Sequence, residues 1–242
     1  MASPMVDFCE QSNPLVLVQV GQSRAEKANA KRVQQSFLAA AEKRALIWMA
    51  HRTPEWISPD QLTALAFLGQ VGAGFCFALS GSHTLALLGV VACLAVNWFG
   101  DSMDGTLARV RDKQRPRYGF YVDHMVDTFG ASALMGGLAL SGFMHPAIAA
   151  GLLVAFLMLA IQSYLATYTI GEFHLSFWKF GPTEIRILLA VGALALLRWP
   201  VVLHGHYRLF DIGGAVAIAG MTAMLLWFTV KNGSRLYRQE RM

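Results

Sequence analysis

From residue 60 to residue 230 the chain is a succession of long apolar runs separated by short polar or basic stretches. A crossing of the hydrocarbon layer needs about 20 mostly apolar residues. Runs near that length lie at 60–80, 83–104, 119–141, 146–169 and 211–230, with a shorter one at 184–199. The pattern predicts six spans. Upstream, residues 36–52, SFLAAAEKRALIWMAHR, alternate apolar and basic positions at helical spacing. Phe37, Leu38, Ala41, Ala45, Trp48 and Met49 fall on one broad face, which predicts an amphipathic helix lying in the membrane interface. Packing of that face onto the protein itself is the alternative. Residues 1–35 are mixed and polar-rich and read as a loosely ordered cytosolic arm, 53–232 as the six-helix transmembrane domain, and 233–242 as a basic cytosolic tail.

Composition sharpens this into an all-α integral membrane protein. The 242 residues are 55% hydrophobic and 14% charged, against about 25% charged in soluble domains. The N-terminus lacks a basic region, and LVLVQV (15–20) is too short for the core of a secretory signal. Cys9, Cys76 and Cys93 form neither a CxxC pair nor a metal spacing, so disulfides are not expected.

The net charge of +5 raises nucleic acid as a partner, but the placement of the charges argues against it. With a cytosolic N-terminus, 18 of the 20 Lys and Arg fall on the inner side, and only Arg198 and Arg208 fall outside. This asymmetry predicts a multi-pass protein with both termini on the cytosolic side. Its basic loops face anionic headgroups.

Asp101 and Asp104 stand at the cytosolic end of the second run, and Asp123 and Asp127 at the cytosolic start of the third. Residues three or four apart share a helix face. Asp101, Asp104 and Ala108 therefore line one face, and Gly119, Asp123 and Asp127 another. The loop 110–118 brings the two ends together. Four carboxylates near a membrane boundary repel one another and cost heavily. A divalent cation removes that conflict, and all-oxygen ligation favours Mg²⁺, Mn²⁺ or Ca²⁺ over zinc. Four carboxylates could hold two such ions, which can clamp a phosphoryl group between attacking and leaving oxygens. Gly105, Ala108 and Gly119 leave room for a bulky ligand, or serve helix packing. Arg109 can fork onto phosphate oxygens.

These residues resemble the CDP-alcohol phosphotransferase family, whose signature is D-x-x-D-G-x-x-A-R, eight or nine residues, then G-x-x-x-D-x-x-x-D. Here it stands as Asp101-Ser-Met-Asp104-Gly105-Thr-Leu-Ala108-Arg109, nine residues, then Gly119-Phe-Tyr-Val-Asp123-His-Met-Val-Asp127. The resemblance implies a six-helix core, two Mg²⁺ or Mn²⁺ ions held by Asp101, Asp104, Asp123 and Asp127, a cytidine nucleotide pocket and a homodimer. It implies a phospholipid-synthesis enzyme whose site faces the cytosol.

The family's Pro-Asn-x-x-Thr becomes Pro59-Asp60-Gln61-Leu62-Thr63, where Asp60 keeps a helix cap but not the amide. His124 and Glu184, the latter within GPTEIR (181–186), are similar to the choline/ethanolamine branch, where a His and a Glu help deprotonate a lipid hydroxyl. Each also has a structural reading: an interfacial histidine, and a helix-start carboxylate on the dipole.

The implied reaction is attack of an alcohol on the phosphorus distal to cytidine in a CDP-alcohol, with loss of CMP. Asp101, Asp104 and Asp123 would hold metal and diphosphate, and Asp127 would be a shared ligand or general base. Gly105, Ala108 and Gly119 would admit the nucleotide, contacted by Thr63, Asp104 and Arg109. His124 and Glu184 lean toward CDP-choline or CDP-ethanolamine as donor and a diradylglycerol as acceptor. The alternative is CDP-diacylglycerol as donor to glycerol phosphate, inositol, inositol phosphate or serine. For a phosphorylated acceptor, Arg111, Lys113, Arg115, Arg117, Lys179 and Arg186 offer cations. An ion or proton transporter with an acidic intramembrane site is a reading of another class. It would need a polar path to the outer face, and the outer parts of the first, third and fourth runs are almost wholly apolar.

Overall fold

The computed structural model describes residues 31–33, 39–174, 181–202 and 206–240. Among these, seven helices carry the fold: α1 Ala39–Arg52, α2 Pro59–Ser80, α3 Ala86–Val110, α4 Pro116–Leu140, α5 Pro146–Ile170, α6 Pro182–Leu196 and α7 Leu209–Gln239. Two short strand pairs accompany them. β1 (Lys31–Val33) runs parallel to β2 (Glu172–His174), and β3 (Val201–Val202) pairs antiparallel with β4 (Tyr207–Arg208).

Helix starts follow local chemistry. Pro59, Pro116, Pro146 and Pro182 each occupy a first helical position, where the missing N–H costs nothing and φ is preset. Ser58, not Asp60, caps α2: its hydroxyl accepts from Gln61 N at 3.2 Å, and Gln61 Oε1 accepts from Ser58 N at 2.8 Å. Asp60 sits in the first turn instead and pairs with Arg115 across the α3–α4 turn. At the other end of α5, Gly171 takes a φ of +77°, a left-handed cap that glycine adopts without a Cβ clash.

By length and composition, α2, α3, α5 and α7 can each cross a membrane. α4 has 25 residues, but its first half carries Arg117, Asp123 and Asp127. α6 has 15 residues, about 22 Å of helix against a hydrocarbon layer of about 30 Å. The six expected apolar segments are thus all helical, while four have the make-up of independent spans. α6 also stops at Leu196 rather than 199. α7 continues to Gln239, through the boundary drawn at residue 232.

α2 packs on both α3 and α4, α6 lies on α3, and α5 joins α4 to α7. The larger core cluster includes Phe77, Leu87, Val90, Leu138, Leu196 and Phe210. Glycines set the closest approaches. A Cβ on Gly69 would lie 2.7 Å from Asn97 N, and one on Gly100 would lie 2.6 Å from Leu62 O. At the α2–α4 crossing a Cβ on Gly137 would overlap the Gly74 carbonyl, so there the backbones touch.

The upstream helix departs from expectation in its face. α1 begins at Ala39, and Phe37 and Leu38 lie outside the described residues. Leu46 and Ala50 are buried against Leu62, Met103 and Leu107, with Met49 partly buried beside them. Ala45 and Trp48 point outward, and the Arg52 guanidinium sits 4.1 Å above the Trp48 ring. The inward stripe is therefore Leu46, Met49 and Ala50. An amphipathic helix with an apolar outer edge can serve protein and lipid at once.

Candidate active site

The ends of α2, α3, α4 and α6 meet around the aspartates. Thr63 Oγ1, one turn into α2, donates to Asp104 Oδ2 at 2.6 Å, and the other Asp104 oxygen lies against the Gly105 amide. On the next turn of α3, Asp101 Oδ2 accepts from Arg186 Nη2 of α6 at 2.6 Å. Arg186 Nε donates to Asn97 Oδ1 at 2.7 Å, and Asn97, buried, donates from Nδ2 to Ala66 O of α2 at 2.9 Å. This chain of bonds ties three helices together at the level of Asp101. Arg186 was legible only as one basic residue among six. Its pairing with Asp101 and Asn97 depends on how α6 packs.

From α4, Asp127 comes within electrostatic reach of Asp101, Asp104 and Arg186. Asp123 and Asp127 both lie within such reach of Tyr164 on α5, a neighbour the sequence did not single out. The structure thus pairs Asp101 with Arg186 and Asp104 with Thr63, brings Asp127 within reach of both carboxylates and the guanidinium, and sets Asp123 and Asp127 on the side of α4 that meets α5. Among the described residues, no three Asp, Glu, His or Cys side chains converge at metal-holding spacing. Like-charged carboxylates have instead taken separate donors, Thr63 and Arg186. Donor chemistry and charge nonetheless fit Mg²⁺ or Mn²⁺: the groups are carboxylate oxygens, and Asp101, Asp104 and Asp127 lie within electrostatic reach of one another with a single guanidinium among them.

Of the small residues near the aspartates, Gly105 and Gly119 are not points of close helix packing. A Cβ on Gly119 would meet nothing within 4 Å, and one on Gly105 would meet only the Arg109 guanidinium, at 3.4 Å and beyond. Ala108, half-buried, lies one helical turn beyond Asp104. Arg109 Nη2 donates to Thr106 Oγ1 at 3.0 Å.

His124 and Glu184 have structural partners. His124 Nδ1 lies 2.7 Å from Phe120 O, the bond of an Nδ1–H tautomer. The His124 ring stacks on Phe120 at 4.2 Å and meets Tyr164 edge-on at 4.9 Å. Glu184 Oε2 accepts from Gly181 N at 2.9 Å and so caps α6, while its Oε1 is buried with no hydrogen bond. Arg111 donates to Ile57 O, Thr53 O and Pro54 O at 2.6–2.9 Å and clamps the α1–α2 turn. Arg115 pairs with Asp60, an exposed contact that holds its guanidinium above its ordinary pKa. Lys179 lies outside the described residues.

The fold and site are those of a helical membrane body with carboxylates, a threonine and an arginine gathered where the ends of α2, α3, α4 and α6 meet. The family model for CDP-alcohol phosphatidyltransferase matches residues 56–231, and the chain belongs to that family. It is 34% identical over 113 residues to an archaetidylinositol phosphate synthase of Pyrococcus horikoshii, a match covering 47% of this chain and 53% of the relative. The chain thus spans about half the length of the curated relative it matches.

Proposed function

We propose that the chain transfers a lipid-bearing phosphoryl group from a CDP-activated diradyl lipid, such as CDP-diacylglycerol, to inositol phosphate, releasing CMP. One observation carries the reaction class: the complete aspartate motif is gathered at one end of the bundle, with Asp104 held by Thr63 and Asp101 by Arg186. The likeness to an archaetidylinositol phosphate synthase supports the acceptor. It shifts the reading from the choline/ethanolamine lean, which rested on His124 and Glu184, to the CDP-diacylglycerol alternative. The structural bonds of His124 and Glu184 weaken that lean further.

In this reading Asp101, Asp104, Asp123 and Asp127 would hold one or two Mg²⁺ or Mn²⁺ ions. When bound, such ions neutralise charge on the diphosphate and the departing CMP. Gly105, Ala108 and Gly119 leave space for the nucleotide, and Thr63 fixes the rotamer of Asp104 beside it. Asp127 accepts the proton of the attacking hydroxyl. The hydroxyl oxygen bonds to the phosphorus that carries the lipid, and the bond from that phosphorus to the oxygen bridging to CMP breaks. Positioning and charge neutralisation carry most of the rate in such transfers. The site lies at the basic end of the bundle, on the cytosolic side by the charge asymmetry, where a lipid-tailed donor meets a water-soluble acceptor.

The test offers radiolabelled CDP-diacylglycerol to the purified full-length chain with inositol phosphate, inositol, glycerol phosphate or serine. In parallel, CDP-choline and CDP-ethanolamine are offered with diacylglycerol. A labelled lipid product with inositol phosphate, abolished by EDTA and restored by Mg²⁺ or Mn²⁺, is expected. Transfer from CDP-choline, or full activity in EDTA, would overturn the reading.

A further inference from the structure

Glu42 lies in α1, upstream of the residues matched by the family model. Its carboxylate is nonetheless built into the helices that hold the site. Glu42 Oε1 accepts from Trp98 Nε1 at 2.8 Å, from Ser102 Oγ at 3.2 Å and from Thr183 Oγ1 at 3.0 Å, and Thr183 Oγ1 is also 3.3 Å from Oε2. Two of these donors belong to α3 and one to α6.

The register of these contacts matters. Trp98 and Ser102 each follow by one residue the two α3 side chains, Asn97 and Asp101, that receive Arg186. Thr183 lies three residues before Arg186, on the same helical stripe. α6 is therefore joined to α3 by two parallel rungs. One is the direct Arg186 rung to Asn97 and Asp101. In the other, Glu42 is the shared acceptor between Thr183 and the pair Trp98 and Ser102. A sliding or rolling of α6 that displaces Arg186 from Asp101 also pulls Thr183 from Glu42.

We infer that Glu42 is a positioning residue: it fixes the register of α6 on α3 and thereby holds Arg186 on Asp101. The inference rests on the proposed site for its catalytic consequence. Its geometric core, the coupling of α1 to the start of α6, stands apart from the identity of the reaction. Through it the upstream helix becomes part of the catalytic frame.

The test compares the full-length wild type, E42A, E42Q, R186A and E42A/R186A in lipid nanodiscs, with two readouts. Hydrogen–deuterium exchange over residues 183–189 is expected to rise in E42A, to stay near wild type in E42Q, which keeps one acceptor oxygen, and to leave residues 66–78 of α2 unchanged. Unchanged exchange over 183–189 in E42A overturns the inference. CMP release is expected to fall about 10- to 100-fold in E42A, the scale of a misplacement on the order of 1 Å. In the R186A background the same substitution is expected to cost less than about threefold, because groups acting as one unit fail together. Equal losses in both backgrounds overturn it as well. Failure of the proposed reaction has a different signature, no CMP release by the wild type, and the exchange result then still decides the positioning role.

Discussion

Replacing Arg186 by glutamine removes the cation that pairs with Asp101 and lies within electrostatic reach of Asp127. The guanidinium lies 2.6 Å from Asp101 Oδ2, with the two side chains 15% and 23% exposed. Opposite unit charges about 4 Å apart attract by about 4 kcal/mol at an effective dielectric of 20. Partial exposure and the hydrogen bonding that glutamine retains reduce the net loss to about 2 kcal/mol. For a chain of this size that corresponds to a fall of about 4–8 °C in Tm. The same substitution leaves Asp101, Asp104 and Asp127 with one more uncompensated negative charge, so a divalent cation should bind the folded variant more tightly than the wild type. Ligands that bind the folded state stabilise it in proportion to their affinity. Thermal unfolding followed by tryptophan fluorescence, first in EDTA and then across a Mg²⁺ titration, measures both effects. R186Q should melt lower in EDTA and regain more from Mg²⁺ than the wild type. Equal Mg²⁺-induced shifts in the two proteins, or an unchanged Tm in EDTA, would refute the charge argument.

Other perturbations separate site from scaffold. Thr63→Val removes a donor to a carboxylate, worth about 1.5–3 kcal/mol, and should lower turnover by about 10- to 100-fold in a steady-state CMP-release assay. Gly119→Leu enters open space and should leave Tm nearly unchanged while CMP binding, measured by calorimetry, collapses. Gly137→Leu meets the Gly74 carbonyl and should cost about 3 kcal/mol or more, seen as a lower Tm or loss of folded protein. His124→Ala and Glu184→Gln should keep CMP affinity and most turnover, since glutamine can still cap α6. A loss of about 10²-fold or more in turnover alone would transfer the base role from Asp127 to them.

Much of this was legible along the chain. Long apolar runs and prolines at 59, 116, 146 and 182 announce the helices, because both signals act locally. The aspartate spacing shows which turns of α3 and α4 carry their carboxylates on one face, since the helix period fixes it. What escaped depends on tertiary packing. The α2 cap is an exception, because the Ser58–Gln61 capping box is local and was open to reading; the pairing of Asp60 with Arg115 was not. The inward face of α1 follows from where Glu42 finds its donors, 56 to 141 residues distant. α6 ends at Leu196 although the apolar run continues, with Pro200 close behind. Tyr164 of α5 comes within reach of Asp123 and Asp127, a neighbour that helical spacing within α4 does not reveal.

The contact between Gly74 and Gly137 brings the backbones of α2 and α4 together at one point. With no side chain between the backbones, this contact is the natural pivot to take for any tilt of α2 against α4. Asp127 lies ten residues from the pivot along α4, a lever arm of about 15 Å, and Thr63 lies eleven residues from it along α2, at a similar reach. One degree of scissoring therefore moves these arms relative to each other by about 0.3 Å, and roughly four degrees make the 1 Å that can cost about 10²-fold in rate. On this geometry a small tilt imposed deep in the bilayer, for example by a change in its thickness, would reach the site as a displacement on the scale that chemistry there can feel.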